Sequence, residues 1–283
     1  MSAMDKLLAA VNKAKTGTSK DRDDEYFYYP ARDASGNGSA VIRFLPGKDD
    51  DEIPFVKLYT HGFQGPSGKW LIDNCPSTIG RECVVCAANS ELYATLSKDD
   101  ARKAGMNRKT SYISRILVVE DKKNQENEGK VFLFKFGSKV FDKISDALQP
   151  SDVDIDDGAK PINVFSLEDG ANFKLKIRKY EGQTNYDKSE FDKPSKIKET
   201  IEYTDENDIQ KFISPEKFKS SEELERKLNF VRGNKVAKPK HEEDDEEFEQ
   251  IKTAATPPSK SVKVQASGDD DDILELMKKL AED

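Results

Sequence analysis

Apolar and polar positions alternate with a period of two in several short segments of this chain. Ser39-Ala-Val-Ile-Arg-Phe-Leu-Pro46 follows the turn signal Gly36-Asn-Gly38 and reads as a strand stopped by proline. Phe55 to Thr60 predicts a second strand, delivering His61 to a cysteine-bearing segment, and Ile113-Ser-Arg-Ile-Leu-Val-Val119 a third. Past the turn Asn127-Glu-Gly129, Lys130-Val-Phe-Leu-Phe-Lys-Phe136 predicts an aromatic-rich fourth. Phe173 to Tyr180 alternates most strictly, with Phe173, Leu175 and Ile177 on one face and Lys174, Lys176 and Arg178 on the other. Helical spacing occurs at Met4, Leu7, Leu8 and Val11, and again at Leu92, Tyr93 and Leu96. It returns at Val140, Phe141, Ile144 and Leu148, with Ser138 expected as the cap and Pro150 as the stop. Ser214 to Leu228 predicts one or two helices, and there is no internal repeat. The pattern predicts a mainly β protein with α-helices, of the α+β class.

This pattern fails at both ends. Residues 1–20 predict one short amphipathic helix and a polar tether, an arm expected either to pack on its own domain or to bind a groove on a neighbour. Residues 21–235 form the expected core. In 236–283 a basic and then acidic linker leads into a stretch rich in Pro, Ser, Thr and Ala, which buries too little apolar area to offset its ordering entropy. At its end Asp269, Asp270, Asp271 and Asp272 precede Ile273, Leu274, Leu276, Met277 and Leu280, the pattern of a short motif that docks on partners as a helix.

Charge sharpens the division. The 283 residues carry 46 Lys+Arg against 54 Asp+Glu, a net of −8. Residues 236–283 hold seven Lys and fourteen acidic residues, a net of −7, so the other 235 residues are near neutral at −1. Any basic surface is therefore a local patch. No apolar run spans a bilayer and no signal-peptide pattern opens the chain, which leads us to expect a reducing, intracellular setting without a membrane partner.

All three cysteines and one of the two histidines fall between His61 and Cys86. Thirteen residues separate His61 from Cys75, seven separate Cys75 from Cys83, and two separate Cys83 from Cys86. A Cys-x-x-Cys turn places two thiolates on one cation, and the upstream Cys and His complete a tetrahedral shell, so one structural Zn2+ per chain is expected. The alternatives are three reduced thiols without a common role, or a redox pair at Cys83 and Cys86. The redox pair is disfavoured because no strand-then-helix pattern frames it and a third Cys lies close by.

Aromatic and basic residues intermingle elsewhere. From Arg102 to Arg115 there are five basic residues and no acidic one. Stacking of bases on Tyr93, Tyr112, Phe134, Phe136 and Tyr186 is the chemistry of a single-strand binding platform. Arg108, Lys109, Arg115, Lys135, Lys174, Lys176 and Arg178 are the matching candidates for phosphate ligands. Each aromatic alone is better explained by a core than by a platform, with Tyr112 and Tyr186 the stronger stacking candidates because both adjoin polar or basic turns, and the basic face of 174–178 is equally explained by simple solvation. Stacking and phosphate contacts do not separate DNA from RNA.

Ser39 to Pro46, His61-Gly-Phe63, Gly68-Lys-Trp70, Cys83-x-x-Cys86, Arg108-Lys-Thr-Ser-Tyr112, Asn127 to Phe132, Gly170-Ala-Asn-Phe173 and Asn185-Tyr-Asp187 occur here in order, with an acidic tail after them. In this the chain resembles the single-stranded DNA-binding, helix-destabilising proteins of T-even-like bacteriophages. The resemblance implies an OB-type five-stranded barrel with an inserted zinc subdomain at about 58–110, binding single-stranded DNA cooperatively in the cleft between them. It implies His61, Cys75, Cys83 and Cys86 as zinc ligands and Arg108 to Tyr112 as a DNA-contacting motif, with Tyr93, Phe134 and Tyr186 at aromatic positions. It also implies self-association along the strand through the arm. The acidic tail would recruit polymerase, helicase loader and recombinase, in the cytoplasm of the infected host. Ile113 and Gln183 stand where the family has aromatics, which predicts fewer stacking contacts.

Two rivals come from other classes. A zinc-dependent hydrolase or deaminase needs an open coordination position and an acid-base group, and neither His-Glu-x-x-His nor the deaminase signature is present, so no enzyme is expected. A zinc-stapled protein-interaction scaffold would bind partners but not oligonucleotides.

Overall fold

A computed structural model describes residues 26–156, 158–180 and 182–233. The expected arm at 1–20 and the tail at 236–283, including Asp269 to Leu280, lie outside the described residues. The fold is mixed α+β with antiparallel strand pairing, and it divides into two compact units. One runs to Phe55 and resumes over Ile113–Ile209; the other comprises Val56–Tyr112 and the described residues from Gln210 onward.

The first unit carries β1 (Gly38–Phe44), most of β4 (Lys109–Glu120), β5 (Val131–Phe136), β6 (Ala171–Tyr180), β7 (Gln183–Asn185) and β8 (Glu190–Pro194). β1 is central. It pairs with β4 (Phe44 opposite Ile116) and with β6 (Ala40 opposite Leu175), while β5 adds to β4 and β8 to β6. Phe44, fully buried, is the hub of the core. Its ring centroid lies 5.6 Å from Phe136, 5.8 Å from Phe173, 5.9 Å from Phe165, 6.2 Å from Phe191 and 6.5 Å from Phe134. Each tilted or edge-on pair adds about 0.5–1.5 kcal/mol beyond burial.

Arg43 is also wholly buried. Its guanidinium donates to the carbonyl oxygens of Ser166 and Ser195, both at 2.8 Å, and burial pulls its pKa below the usual range. Gly170 lets this happen: a Cβ there would sit 2.4 Å from Ser166 O and 2.8 Å from Arg43 Nη2. The glycine of the Gly170-Ala-Asn-Phe173 motif is thus required by close approach.

In the second unit β2 (Phe55–Gln64) pairs with β3 (Trp70–Asn74), placing His61 opposite Asp73. The helices α1 (Val84–Thr95), α2 (Lys98–Lys103) and α5 (Ser221–Arg232) close over them. Phe63, Leu71, Cys75, Val85, Leu92, Met106, Leu224, Leu228 and Val231 form one core. α5 starts at a capping box. Ser220 Oγ accepts from Glu223 N at 3.2 Å and Glu223 Oε2 accepts from Ser220 N at 2.9 Å, satisfying two otherwise unpaired donors.

Several expectations shift. β2 continues through His61 to Gln64 and β4 begins at Lys109, because each finds a pairing partner beyond its apolar stretch. In the first unit α3 (Ser138–Leu148) is capped by Gly137, so Ser138 is its first residue rather than its cap. Its inner face holds Val140, Ile144 and Phe141, the last packed edge-on against Phe55 at 5.2 Å, while Leu148 is 39% exposed. The short α4 (Asp152–Asp156) buries nothing.

Candidate metal centre and nucleic-acid interface

His61, Cys75, Cys83 and Cys86 converge in the second unit, with one donor atom from each lying within 4.8 Å of the others. β2 carries His61, the end of β3 leads into Cys75, and Cys83 is the N-cap of α1, with Cys86 three residues into its first turn. Residues i and i+3 share a helix face, so the two sulfurs point the same way. Cys83 makes no capping hydrogen bond because its side chain faces the cluster instead.

The donor set suits a tetrahedral soft cation. Zn–S bonds of about 2.3 Å require ligand atoms roughly 3.5–3.8 Å apart. The sulfurs of Cys75 and Cys86 are 3.5 Å apart, and His61 Nε2 stands 3.4 Å from Cys83 Sγ and 3.7 Å from Cys86 Sγ. The neighbouring Cys83 thiol, with His61 and Ser77, holds the Cys75 thiol down to about 3. Cys83 is pushed up, first by that same contact and then by burial. His61 Nδ1 is buried without a hydrogen-bond partner among the described residues, leaving Nε2 as the ligating atom.

The Cys-x-x-Cys opens a helix, but the 3-10 turn Pro76–Ile79 separates it from β3, so no strand runs directly into the pair. The convergence of Cys75 and His61 on the same point is what favours a metal centre.

Beside this centre lies a cationic and aromatic patch, also within the second unit. The guanidinium carbon of Arg108 lies 4.1 Å from the centroid of the Tyr59 ring, and Lys57 Nζ lies 5.1 Å from it. Lys57 and Tyr59 are two residues apart on β2 and so share a face. The Lys57 ammonium, hydrogen-bonded to the phenol, draws the Tyr59 pKa below its usual range, with Arg108 acting in the same sense. Lys109 is exposed and reaches over Gly62, its Nζ 3.8 Å from where a Cβ would sit. Tyr59 is not among the aromatics that the sequence pattern singles out. Its signal is Lys57 at i−2, since a cation and an aromatic on one strand face are placed to meet.

The other expected contacts divide sharply. Tyr93 is 38% exposed on α1, Lys135 is exposed on β5, and Tyr186 is half-buried in a turn tied by Asn185 and Asp187. Phe134 and Phe136 are corrected to core residues: their rings pack on Phe44 and on each other, leaving no face for a base. Tyr112 is buried as well, 6% exposed, its ring 6.0 Å from Lys57 Nζ. Arg115 is corrected from phosphate ligand to internal clamp. It is 1% exposed, donates from Nη1 and Nη2 to the two carboxylate oxygens of Glu52 at 2.8 and 3.1 Å, and donates from Nε to Asn207 O at 2.8 Å.

In the first unit the outer face of β6 carries Lys174, Lys176, Arg178 and Tyr180, as alternation requires. Two of these cations already have partners: Lys174 Nζ meets Asp192 and Lys176 Nζ meets Glu190, each at 2.8 Å, across the β6–β8 pairing. Arg178 instead faces an open recess of about 570 Å³ shared with Lys123, Lys176 and Asp33. The Asp33 carboxylate is occupied by the amides of Ser35 and Asn37. Among the described residues no helix is long and apolar enough to cross a membrane.

Most of the chain also matches known proteins. Residues 36–232 match the family described as gp32 DNA binding protein like. A single-stranded DNA-binding protein of Enterobacteria phage T4 is 40% identical over 242 residues, covering 81% of this chain and 76% of that one. The protein of the same name from Enterobacteria phage T2 is 43% identical over 214 residues, 71% of this chain and 68% of its own. One from Enterobacteria phage RB70 is 48% identical over 84 residues, covering 28% of this chain and 68% of its own. The matched span includes all four clustered metal donors, the Arg108–Tyr59 pair and the whole of β6, and on that extent the chain belongs to the gp32-like family of DNA-binding proteins.

Proposed function

We propose that this chain is a sequence-independent, cooperative single-stranded DNA-binding protein of phage replication, recombination and repair, with no catalytic step of its own. The observation that carries the reading is the Arg108–Tyr59 pair beside a closed set of metal donors, in a chain of this family. A base stacks on an aromatic face whatever its identity, while Arg and Lys neutralise phosphates. In the second unit Tyr59, Tyr93, Arg108 and Lys109 serve these roles, with Lys57 beside them. In the first unit Lys135, Lys174, Lys176, Arg178 and Tyr186 do, each assigned by its exposure and chemistry.

We read the five strands β5, β4, β1, β6 and β8 as an OB-type core and the second unit as its zinc-bearing insertion. The ion held by His61, Cys75, Cys83 and Cys86 is read as Zn2+, since three sulfurs and an imidazole nitrogen match its preference. Bound there, it supplies a structural cross-link. Four protein donors fill the tetrahedron, which supports a non-enzymatic role. Cooperative contact through residues 1–20 and recruitment of replication and recombination proteins through 236–283 complete the proposal, which places the protein in the cytoplasm of the infected host.

The test is a titration of labelled oligo-dT at several salt concentrations. Tight binding that weakens steeply with salt supports the reading, and equal affinity for an oligo-U competitor would move it to RNA. No binding at low salt, either by the full chain or by a chain ending at Asn234, would overturn it and favour the scaffold.

A further inference from the structure

The metal centre and the Arg108–Tyr59 pair are joined through one hydroxyl. Ser77 lies two residues after Cys75, in the 3-10 turn Pro76–Ile79. Its Oγ is 3.0 Å from Cys75 Sγ and 3.0 Å from Arg108 Nη1. The direction of these bonds is fixed by chemistry. A guanidinium has donors only, so Arg108 donates to the Ser77 oxygen; the single Ser77 proton is then available to the sulfur, which accepts it best as thiolate. The chain of donors runs one way, from Arg108 through Ser77 to Cys75.

The same turn holds the other half of the pair. Tyr59 N donates to Thr78 Oγ1 at 3.0 Å, and Cys75 N donates to Tyr59 O at 2.8 Å. Both the cation and the aromatic are thus fastened to residues 75–78, the segment that begins at a metal ligand. Arg108 is an exposed, rotamer-rich side chain, and fixing it beforehand removes part of the ordering cost of binding.

We propose that Ser77 is a positioning residue through which occupancy of the metal centre sets the orientation of Arg108, and hence the affinity for a nucleic-acid strand. The inference rests on Arg108 contacting the strand. With the cation bound, Cys75 Sγ is held as a thiolate at a fixed position and the hydroxyl is oriented toward it. With the cation removed, the 75–78 turn loses that anchor, and the Ser77 hydroxyl that accepts from Arg108 is no longer held in place.

Full-length protein with Co2+ as the spectroscopic probe tests this. Ser77→Ala is expected to bind the same amount of cobalt with a shifted thiolate-to-metal absorption band, because a hydrogen bond to the sulfur is gone. It should bind oligo-dT roughly 3- to 10-fold more weakly, the size of one lost hydrogen bond. Ser77→Thr, which keeps the hydroxyl, should restore both. Arg108→Ala should itself shift the cobalt band although Arg108 is no ligand, and Ser77→Ala should add little to its weakened binding. This exposed variant keeps the test decisive should Ser77→Ala not fold. Normal affinity in Ser77→Ala with weakened binding in Arg108→Ala would overturn the relay alone. Normal affinity in Arg108→Ala would overturn the assignment of Arg108 and the relay with it.

Discussion

Arg108 lies close over Tyr59, at 4.1 Å from guanidinium carbon to ring centroid, so that the two form a single cationic and aromatic surface from distant parts of the sequence. A base stacking on such a surface contributes about 1–3 kcal/mol. Tyr59→Ala should therefore weaken oligo-dT binding by roughly 10- to 100-fold, and Tyr59→Phe by far less. Arg108→Ala should also lower the slope of log affinity against log salt by about 1. Anisotropy titrations across a range of salt concentrations would check both.

Arg115 should behave in the opposite way. Replacing it with Ala leaves the Glu52 carboxylate and Asn207 carbonyl facing an empty, buried position. Breaking a buried pair on one side costs about 3–5 kcal/mol. Denaturant unfolding should show that loss. Strand affinity of the fraction still folded should be near that of the parent, and a large affinity loss at unchanged stability would restore Arg115 to the interface.

Metal removal should act on the second unit. Chelation, or Cys86→Ser, should lower the thermal midpoint and reduce the helical far-UV signal from α1, whose N-cap is the candidate ligand Cys83. Zinc should restore both after chelation and magnesium should not, because sulfur donors select a softer ion.

The capping box of α5 gives a pH signature. The Ser220 amide holds the Glu223 carboxyl below its ordinary value of 4.5. A depressed folded-state value means the stabilisation is fully present above that ordinary value and is lost as pH falls through the folded one. Glu223→Gln keeps an acceptor for the Ser220 amide but removes the charge, so it should cost about 0.3–1 kcal/mol at pH 7, and the gap from the parent should close progressively as pH falls below the ordinary carboxyl value. Urea unfolding at neutral pH and again well below that value would measure it.

The carboxylates facing β6 should restrain strand binding. Glu190→Gln with Asp192→Asn frees Lys176 and Lys174 from their partners. Oligo-dT affinity should rise several-fold, by analogy with adding two phosphate-ready cations. Unchanged affinity would mean that this face is solvated and does not touch the strand.

The features legible in the sequence are those set by local rules. β6 is legible because period-two alternation needs only neighbouring residues, and the metal donors because few combinations of four rare residues fall so close together. What escapes depends on distance along the chain. Arg115 sits in a basic stretch and looks like a phosphate ligand until Glu52 and Asn207, 63 and 92 residues away, are brought to it by folding. Phe134 and Phe136 look like platforms in an aromatic-rich strand, and only the arrival of Phe44 against them makes both core residues. Tyr59 is only half legible: Lys57 two residues earlier is a local signal, but the closer cation, Arg108, comes from a segment beyond α2.

The pairing of Lys174 with Asp192 and of Lys176 with Glu190 has a thermodynamic consequence for the bound state. A phosphate that takes up either lysine still sheds its condensed cation, but it also frees a carboxylate that draws a cation back from solution. Such contacts release fewer small ions to the bulk than an unpaired lysine would. The stoichiometry inferred from salt dependence should therefore be smaller than the number of phosphates the protein covers, and the shortfall should vanish when the two carboxylates are neutralised.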